Sequence, residues 1–238
     1  MSWLSTVFGG SPQQKILLTP TQLQAIADWK RVAPPDNGLA HTLSRYVVAD
    51  VETTGLSLTK NKLISIGAVA VRNGLIDVND AFEVVLRQEE ASTTENILIH
   101  GIGGSAQREG VDPADALIAF LKFVGKAPLI AFHAGFDQAM IEKALQEYLG
   151  LKLGQDWIDL AWVMPAVVRE LERGGDGLDD WLRLFDIENI QRHNAVSDAY
   201  ATAKLLQVAL AQGVQFELRS PADLIKVEKA RRWKRQAG

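Results

Sequence analysis

Tyr46-Val47-Val48-Ala49-Asp50-Val51 reads as a strand, and the rest of the fold follows from it. The run is β-branched, aromatic or small up to Asp50, with no alternation of polar and apolar positions. That pattern suits a central strand covered on both faces. Residues 62–71 (KLISIGAVAV) form a second such run, and Arg72-Asn73-Gly74 has the chemistry of a hairpin turn. Residues 81–87 (AFEVVLR) supply a third strand. Three consecutive strands with short links predict an antiparallel meander.

Downstream the pattern alternates. Asp112 caps a helix predicted over 113–124, residues 128–132 form a short buried strand, and a helix follows over 135–149. A short last strand is expected at 157–160, then helical segments near 161–172 and 178–185. Asn194 caps an Ala-rich helix running to residue 211, and Ser220-Pro221 opens a final helix. Upstream, Thr19-Pro20-Thr21-Gln22 is a capping box with proline at the first helical position. That helix should run to Arg31 and stop before Pro34-Pro35; Asp36-Asn37-Gly38 is loop. Residues 1–14 read as an arm that Trp3, Leu4, Val7 and Phe8 could dock. The expected class is α/β, a mixed sheet with helices on its faces. The expected divisions are an arm and helix at 1–44, a central domain at 45–211 and a basic helix at 212–238.

Of 238 residues, 47% are hydrophobic and 23% charged, which suits a chain with one sizeable core. The absence of cysteine excludes a disulfide framework, Cys-ligated zinc, an iron–sulfur cluster and a thiol nucleophile. No stretch approaches the roughly 18–20 apolar residues of a membrane span. The opening MSWLSTVFGGS has neither a basic segment nor a long apolar stretch, so a cytoplasmic location is expected. Six of the 25 basic residues lie within 224–238 beside one acid of 29. That leaves 19 basic and 28 acidic residues, a body of −9 and a tail of +5. By charge alone the body is a poor partner for nucleic acid.

The acids change that reading. Asp50 and Glu52 are two apart on an extended chain, so their side chains point the same way at the end of an apolar strand. Two adjacent carboxylates in a poorly solvated place need a compensating cation, an arginine or a divalent metal. Asp137, in FHAGFD (132–137), falls in the first turn of a helix, where an acid also simply suits the helix dipole. Asp198, in RHNAVSDA (192–199), lies one turn inside the Ala-rich helix. Small neighbours there permit close approach and an inward-facing side chain. His193 lies on the preceding loop. Four carboxylates supply hard oxygen ligands for Mg²⁺ or Mn²⁺, and the imidazole beside them supplies a base.

The order D-x-E, then D, then H-x4-D, on strand, helix start and helix, resembles the DEDDh 3′→5′ exonucleases. That superfamily includes the epsilon subunit of bacterial DNA polymerase III and RNase T. The resemblance runs over residues 45–211 and is carried by ADVETTGLS, FHAGFD and RHNAVSDA. It implies an RNase H-like fold with a five-stranded mixed sheet. It also implies two divalent ions, Mg²⁺ or Mn²⁺, held by Asp50, Glu52, Asp137 and Asp198, with His193 as general base. Residues Thr53, Thr54, Gly55 and Leu56 match the loop that meets the 3′-terminal nucleotide in the family. His100 and Ile102 match an HGI element lining the nucleotide pocket. Asp159 matches a structural acid. His133 stands where the family often has asparagine, which makes it a substrate contact of altered chemistry.

The resemblance implies release of nucleoside 5′-monophosphates from single-stranded 3′ ends, DNA favoured over RNA, in proofreading or repair. Exoribonuclease or small-oligonucleotide hydrolase activity is the alternative within the class; a catalytically silent nucleic-acid-binding protein is the alternative outside it. A polymerase or other protein partner through the terminal segments, and a homodimer, stay open. Leu182-Arg183-Leu184-Phe185 resembles a sliding-clamp peptide but reads as core on an amphipathic helix. Residues 173–192 read as a mobile rim before His193.

Overall fold

A computed structural model of the protein describes residues 16–168 and 177–237. The arm expected over 1–14, the far end of the segment expected at 161–172, and residues 173–176 of the rim lie outside them. Five strands form one sheet in the order β3-β2-β1-β4-β5. These are β1 (Arg45–Thr53), β2 (Leu63–Arg72), β3 (Leu75–Val85), β4 (Leu129–Ala131) and β5 (Trp157–Asp159). The first three form the expected antiparallel meander, and β4 and β5 run parallel to β1. The mixed sheet flanked by helices is thus borne out.

Strand β1 is buried on both faces, and its period-2 alternation sorts the core. Val47, Ala49 and Val51 point to one side, against α1 (Pro20–Arg31), α4 (Pro113–Val124) and α5 (Gly135–Leu149). Tyr46 and Val48 point to the other. There they meet α6 (Leu160–Val167), α7 (Leu178–Leu184), α8 (Ala195–Gly213) and α9 (Pro221–Ala237). Asp50 and Glu52 share the parity of Tyr46 and Val48, so they face the layer that contains α8. That one fact of strand geometry decides which helix completes the site.

The third strand begins six residues earlier than the sequence suggested. Asn73 and Gly74 both take positive φ (55° and 73°), a two-residue hairpin turn that pairs Arg72 with Leu75 at once. Leu75–Val85 is an edge strand with Asp77, Asn79 and Asp80 along it, so its composition hides its conformation. Two short helices, α2 (Thr94–His100) and α3 (Gly104–Arg108), were not foreseen in the Gly- and Ser-rich stretch they occupy.

Helices α1 and α9, from the two terminal segments, are packed into the body. Thr19 and Gln22 form the capping box of α1, and Ile26 and Trp29 are buried in the core beside α4. The Trp29 indole Nε1 donates to the Gly125 carbonyl at 2.7 Å. Helix α9 buries Leu224 completely and packs on α6 and β5. Leu182 is buried, as its core reading expected, while Leu184 is exposed.

Candidate active site

Asp50 pairs across the ladder with Gly67, and Glu52 with Ser65, on the face crossed by α8. Helix α8 starts at Ala195 with Asn194 as N-cap, its side chain accepting from the Ser197 amide. Ala195, Ala199, Ala201 and Ala203 are buried at 1% exposure or less, which lets the helix lie close over β1 and β2. Asp198, in its first turn, is therefore turned inward and buried. One carboxylate oxygen from each of Asp50, Glu52 and Asp198 lies within 4.8 Å of the other two.

Asp137 enters from the opposite side. It sits in the first turn of α5, buried, and its Oδ1 accepts from the Val51 amide at 3.2 Å. That bond ties α5 to the middle of the D-x-E segment. Asp137 falls outside the group of three but acts electrostatically on both Asp50 and Glu52.

The charges are far from their ordinary behaviour. Desolvation first, then Asp137, Asp198 and Glu52, push the Asp50 carboxyl well above the usual carboxylate range. Glu52 is pushed up to about 8, by desolvation and then Asp198. Asp137 is pushed up to about 7, chiefly by desolvation and against the pull of its backbone hydrogen bonds. Groups held this way bind either protons or cations. All the donors are hard oxygens, so the set fits Mg²⁺ or Mn²⁺. Each carboxylate offers about four lone-pair sites, more than the backbone hydrogen bonds of Asp137 use.

A cation is already built in, and the sequence reading missed it. Arg192 Nη1 donates to Asp198 Oδ2 at 2.7 Å, and Nε reaches Asp179 on α7 at 2.7 Å. The His193 amide donates to the same Asp198 oxygen at 3.0 Å, and Asn189 Nδ2 donates to Oδ1. The signal was present: Arg192 directly precedes His193 in a motif otherwise short of positive charge. His193 itself is exposed, with φ of 61°, at the loop that enters α8.

The expected substrate contacts fall into two groups. Thr53, Thr54, Gly55 and Leu56 follow directly on the acidic pair. Thr54 Oγ1 accepts from the Lys62 amide (2.9 Å) and from Asn61 Nδ2 (3.1 Å), and Thr53 Oγ1 donates to the Gly55 carbonyl (2.8 Å). Lys143 Nζ donates to the carbonyls of Leu58, Thr59 and Asn61, so the loop is held from below. Leu56 stands out from it, 86% exposed. His100 differs: it is 2% exposed and both ring nitrogens are engaged. Nδ1 accepts from the Ile102 amide at 2.9 Å, which leaves Nε2 to donate to Asn96 Oδ1 at 3.0 Å. Its role is to hold the 100–102 turn, and burial keeps its pKa low. Ile102 is half-buried on that turn, and a side chain at Gly101 would come within 3.8 Å of Gln191 on the His193 loop. His133 takes φ of 60° at the turn between β4 and α5.

Comparison with known proteins agrees with this geometry. The sequence profile of the Exonuclease (RNase T) family matches residues 47–206, which include all four acids and His193. The PolC-type DNA polymerase III of Halalkalibacterium halodurans is 34% identical over 171 residues, covering 68% of this chain and 11% of that protein. The PolC-type polymerase of Bacillus subtilis is 30% identical over 183 residues, 72% of this chain and 12% of that one. This chain thus spans a small fraction of the length of these relatives.

Among solved structures, E. coli exonuclease I in complex with a dT13 oligonucleotide superposes with a TM-score of 0.63 at 16% identity, covering 73% of this chain and 42% of that one. Exonuclease X in complex with 5′ overhanging duplex DNA gives 0.59 at 17% identity, covering 77% and 99%. At such identity the likeness is one of fold, and the expected RNase H-like architecture is borne out. A profile match over well over half of the chain, through every acid of the cluster, places this protein in the Exonuclease family.

Proposed function

We propose that the protein is a metal-dependent 3′→5′ exonuclease that releases nucleoside 5′-monophosphates, with DNA as the favoured substrate. The observation that carries the reading is the convergence of Asp50, Glu52 and Asp198 within 4.8 Å, with Asp137 behind them. Two divalent ions bound by these acids would supply Lewis-acid stabilisation of the charge that develops on the scissile phosphodiester. The chain's own groups do the rest. Leu56 stands exposed beside the acids, placed to meet the terminal base. The backbone of residues 53–56, held by Thr54, Asn61 and Lys143, orients the terminal nucleotide. His193, exposed on its loop, takes the proton from the attacking water.

DNA is favoured because the polymerases similar to this chain are DNA polymerases, and the structures similar to it hold DNA. A 3′-labelled single strand incubated with Mn²⁺ or Mg²⁺ tests the reading: mononucleotide release supports it, and none under any condition sinks it. Parallel single- and double-stranded DNA, RNA and dinucleotides separate it from an exoribonuclease or small-oligonucleotide hydrolase.

His193→Ala is expected to keep Mn²⁺ binding and lose about 10²–10⁴-fold in turnover, the usual worth of a general base. Near wild-type turnover would remove His193 from the chemistry.

The basic C-terminus bears on polymer binding, but deletion of 224–238 is not a clean test. Leu224 and Glu228 are buried and α9 packs on the sheet, so deletion would strip part of the fold. Lys226, Lys229 and Lys234 are the exposed alternatives. Changing all three to Gln should lower the salt slope of DNA binding by about one for each phosphate that a lysine had neutralised. An unchanged slope assigns them to a solvated face.

A further inference from the structure

Helix α9 lies beyond residues 47–206, yet it reaches a carboxylate that holds the turn before Asp137. Asp159 ends β5, paired with Ala131 at the end of β4. Its side chain is 3% exposed. Oδ1 accepts from the His133 amide at 2.9 Å and from the Ala161 amide at 3.0 Å. Oδ2 accepts from Arg232 Nη2 at 2.8 Å. Arg232 Nε donates to Glu228 Oε1 at 2.8 Å, and Glu228 Oε2 accepts from the Asp159 amide at 3.0 Å. A closed ring of hydrogen bonds therefore joins one turn of α9 to both the amide and the carboxylate of residue 159. The guanidinium also lies 5.1 Å from the centre of the Trp162 ring, within reach of a cation–π contact.

We propose that Arg232 is a positioning residue for Asp137, acting through Asp159 and the His133 amide. The inference rests on the exonuclease reading in one respect, that Asp137 helps to hold metal. His133 occupies a left-handed conformation that non-glycine residues populate rarely, and such a residue persists only where its surroundings fix it. One bond that holds it is its amide donated to Asp159, beside the Phe136 amide donated to its carbonyl. Ala134 and Gly135 follow, and Asp137 sits in the first turn of α5 with its Oδ1 on the Val51 amide. From Arg232 the path runs by hydrogen bonds to Asp159 and the His133 amide, then along four residues of chain to Asp137 and its hydrogen bond with the Val51 amide. Without the guanidinium, Asp159 is a buried carboxylate beside Glu228. Its Oδ2 has lost the Arg232 donor, and rotation of the carboxylate to seek another draws Oδ1 off the His133 amide. The turn then relaxes, and Asp137 loses its register against β1.

The test uses the full chain as Arg232→Gln, Arg232→Lys and Leu224→Ala. Leu224→Ala weakens the docking of the same helix from its fully buried apolar face without touching the ring. Three quantities are read: Mn²⁺ binding by calorimetry without substrate, the metal concentration for half-maximal hydrolysis of a 3′-labelled strand, and the melting temperature. Loss of a group that orients a metal ligand typically costs about 10–100-fold in metal affinity. Arg232→Gln should therefore bind Mn²⁺ about 10-fold more weakly and raise the half-maximal metal concentration alike. Arg232→Lys should recover much of the loss, and Leu224→Ala should lower the melting temperature without moving Mn²⁺ affinity.

Unchanged Mn²⁺ affinity in Arg232→Gln overturns the proposal. So does an equal affinity loss in Leu224→Ala, which would make Arg232 a part of the scaffold only. If the wild-type chain binds Mn²⁺ but hydrolyses nothing, the exonuclease reading fails while the affinity comparison still decides the role of Arg232. A wild-type chain that binds no Mn²⁺ overturns both.

Discussion

Asp50→Asn is expected to abolish Mn²⁺ binding and hydrolysis together, while the metal-free variant melts at a higher temperature than wild type at pH 8. Asp50 is the acid on which Asp137, Asp198 and Glu52 all act, and it faces α8 from the centre of a strand buried on both sides. Asparagine keeps its shape and removes its charge. The loss of activity should exceed the about 10²–10³-fold that follows removal of a single electrostatic contact, because metal and geometry are lost together.

The stability gain follows from proton linkage. Glu52 is raised from 4.5 to about 8, Asp137 from 3.8 to about 7, and Asp50 well above its ordinary value. Above about pH 4 the unfolded chain releases protons that the folded chain retains. Metal-free wild type is then most stable at low pH within this set, and loses stability as pH rises toward 8. A divalent ion substitutes for those protons, so Mn²⁺ should raise the wild-type melting temperature more at pH 8 than at pH 6. In Asp50→Asn the fall with pH should be shallower and the Mn²⁺ shift absent. Calorimetric titration and thermal melts at the two pH values check both. Wild-type Mn²⁺ binding in the variant would remove Asp50 from the ligand set.

How much of this the sequence disclosed depends on how far apart the interacting parts lie along the chain. The direction of Asp50 and Glu52 follows from strand periodicity, and the inward face of Asp198 from its alanine neighbours. Both are local facts, legible without a structure. The compensation of Asp198 by Arg192, and of Arg192 by Asp179, depends on how the 185–194 loop folds back, which no periodicity encodes. His100 shows the same limit from the other side. Its motif suggests a pocket residue, but burial by Ser92, Asn96 and the 100–102 turn makes it a brace. The short helices α2 and α3 escaped because one or two turns do not establish a 3.6-residue period. Strand β3 started early because a tight hairpin can carry poor strand formers along an exposed edge. The reach of α9 to Asp159 spans more than 60 residues, and the basic composition of that helix gives no sign of a buried carboxylate partner.

Gly67→Ala should damage stability and catalysis at once, although Gly67 carries no functional group. Gly67 pairs with Asp50 and faces the first turn of α8. A Cβ there would lie 2.1 Å from the Val196 amide nitrogen and 2.2 Å from the Ala195 carbonyl carbon. Both are backbone atoms of a helix end, so no side-chain rotation relieves the clash. Ordinary contact begins near 3.4 Å, so α8 must withdraw by roughly 1.3 Å, the difference between the two distances. Overpacking of this kind typically costs about 1–3 kcal/mol, more when backbone must move. At about 2–4 °C per kcal/mol for a chain of this size, the melting temperature should fall by about 2–12 °C. The same withdrawal carries Asp198, Arg192 and the His193 loop away from Asp50. A misplacement of about 1 Å can cost about 10²-fold in rate, so activity per folded molecule should fall by at least that factor. Gly74→Ala provides the contrast. Gly74 lies in the β2–β3 hairpin with φ of 73°, and a Cβ there would meet nothing within 4 Å, so alanine strains the turn without a clash. It should lower the melting temperature and leave activity per folded molecule unchanged. Wild-type activity in folded Gly67→Ala would mean that the approach of α8 to β2 does not set the position of Asp198.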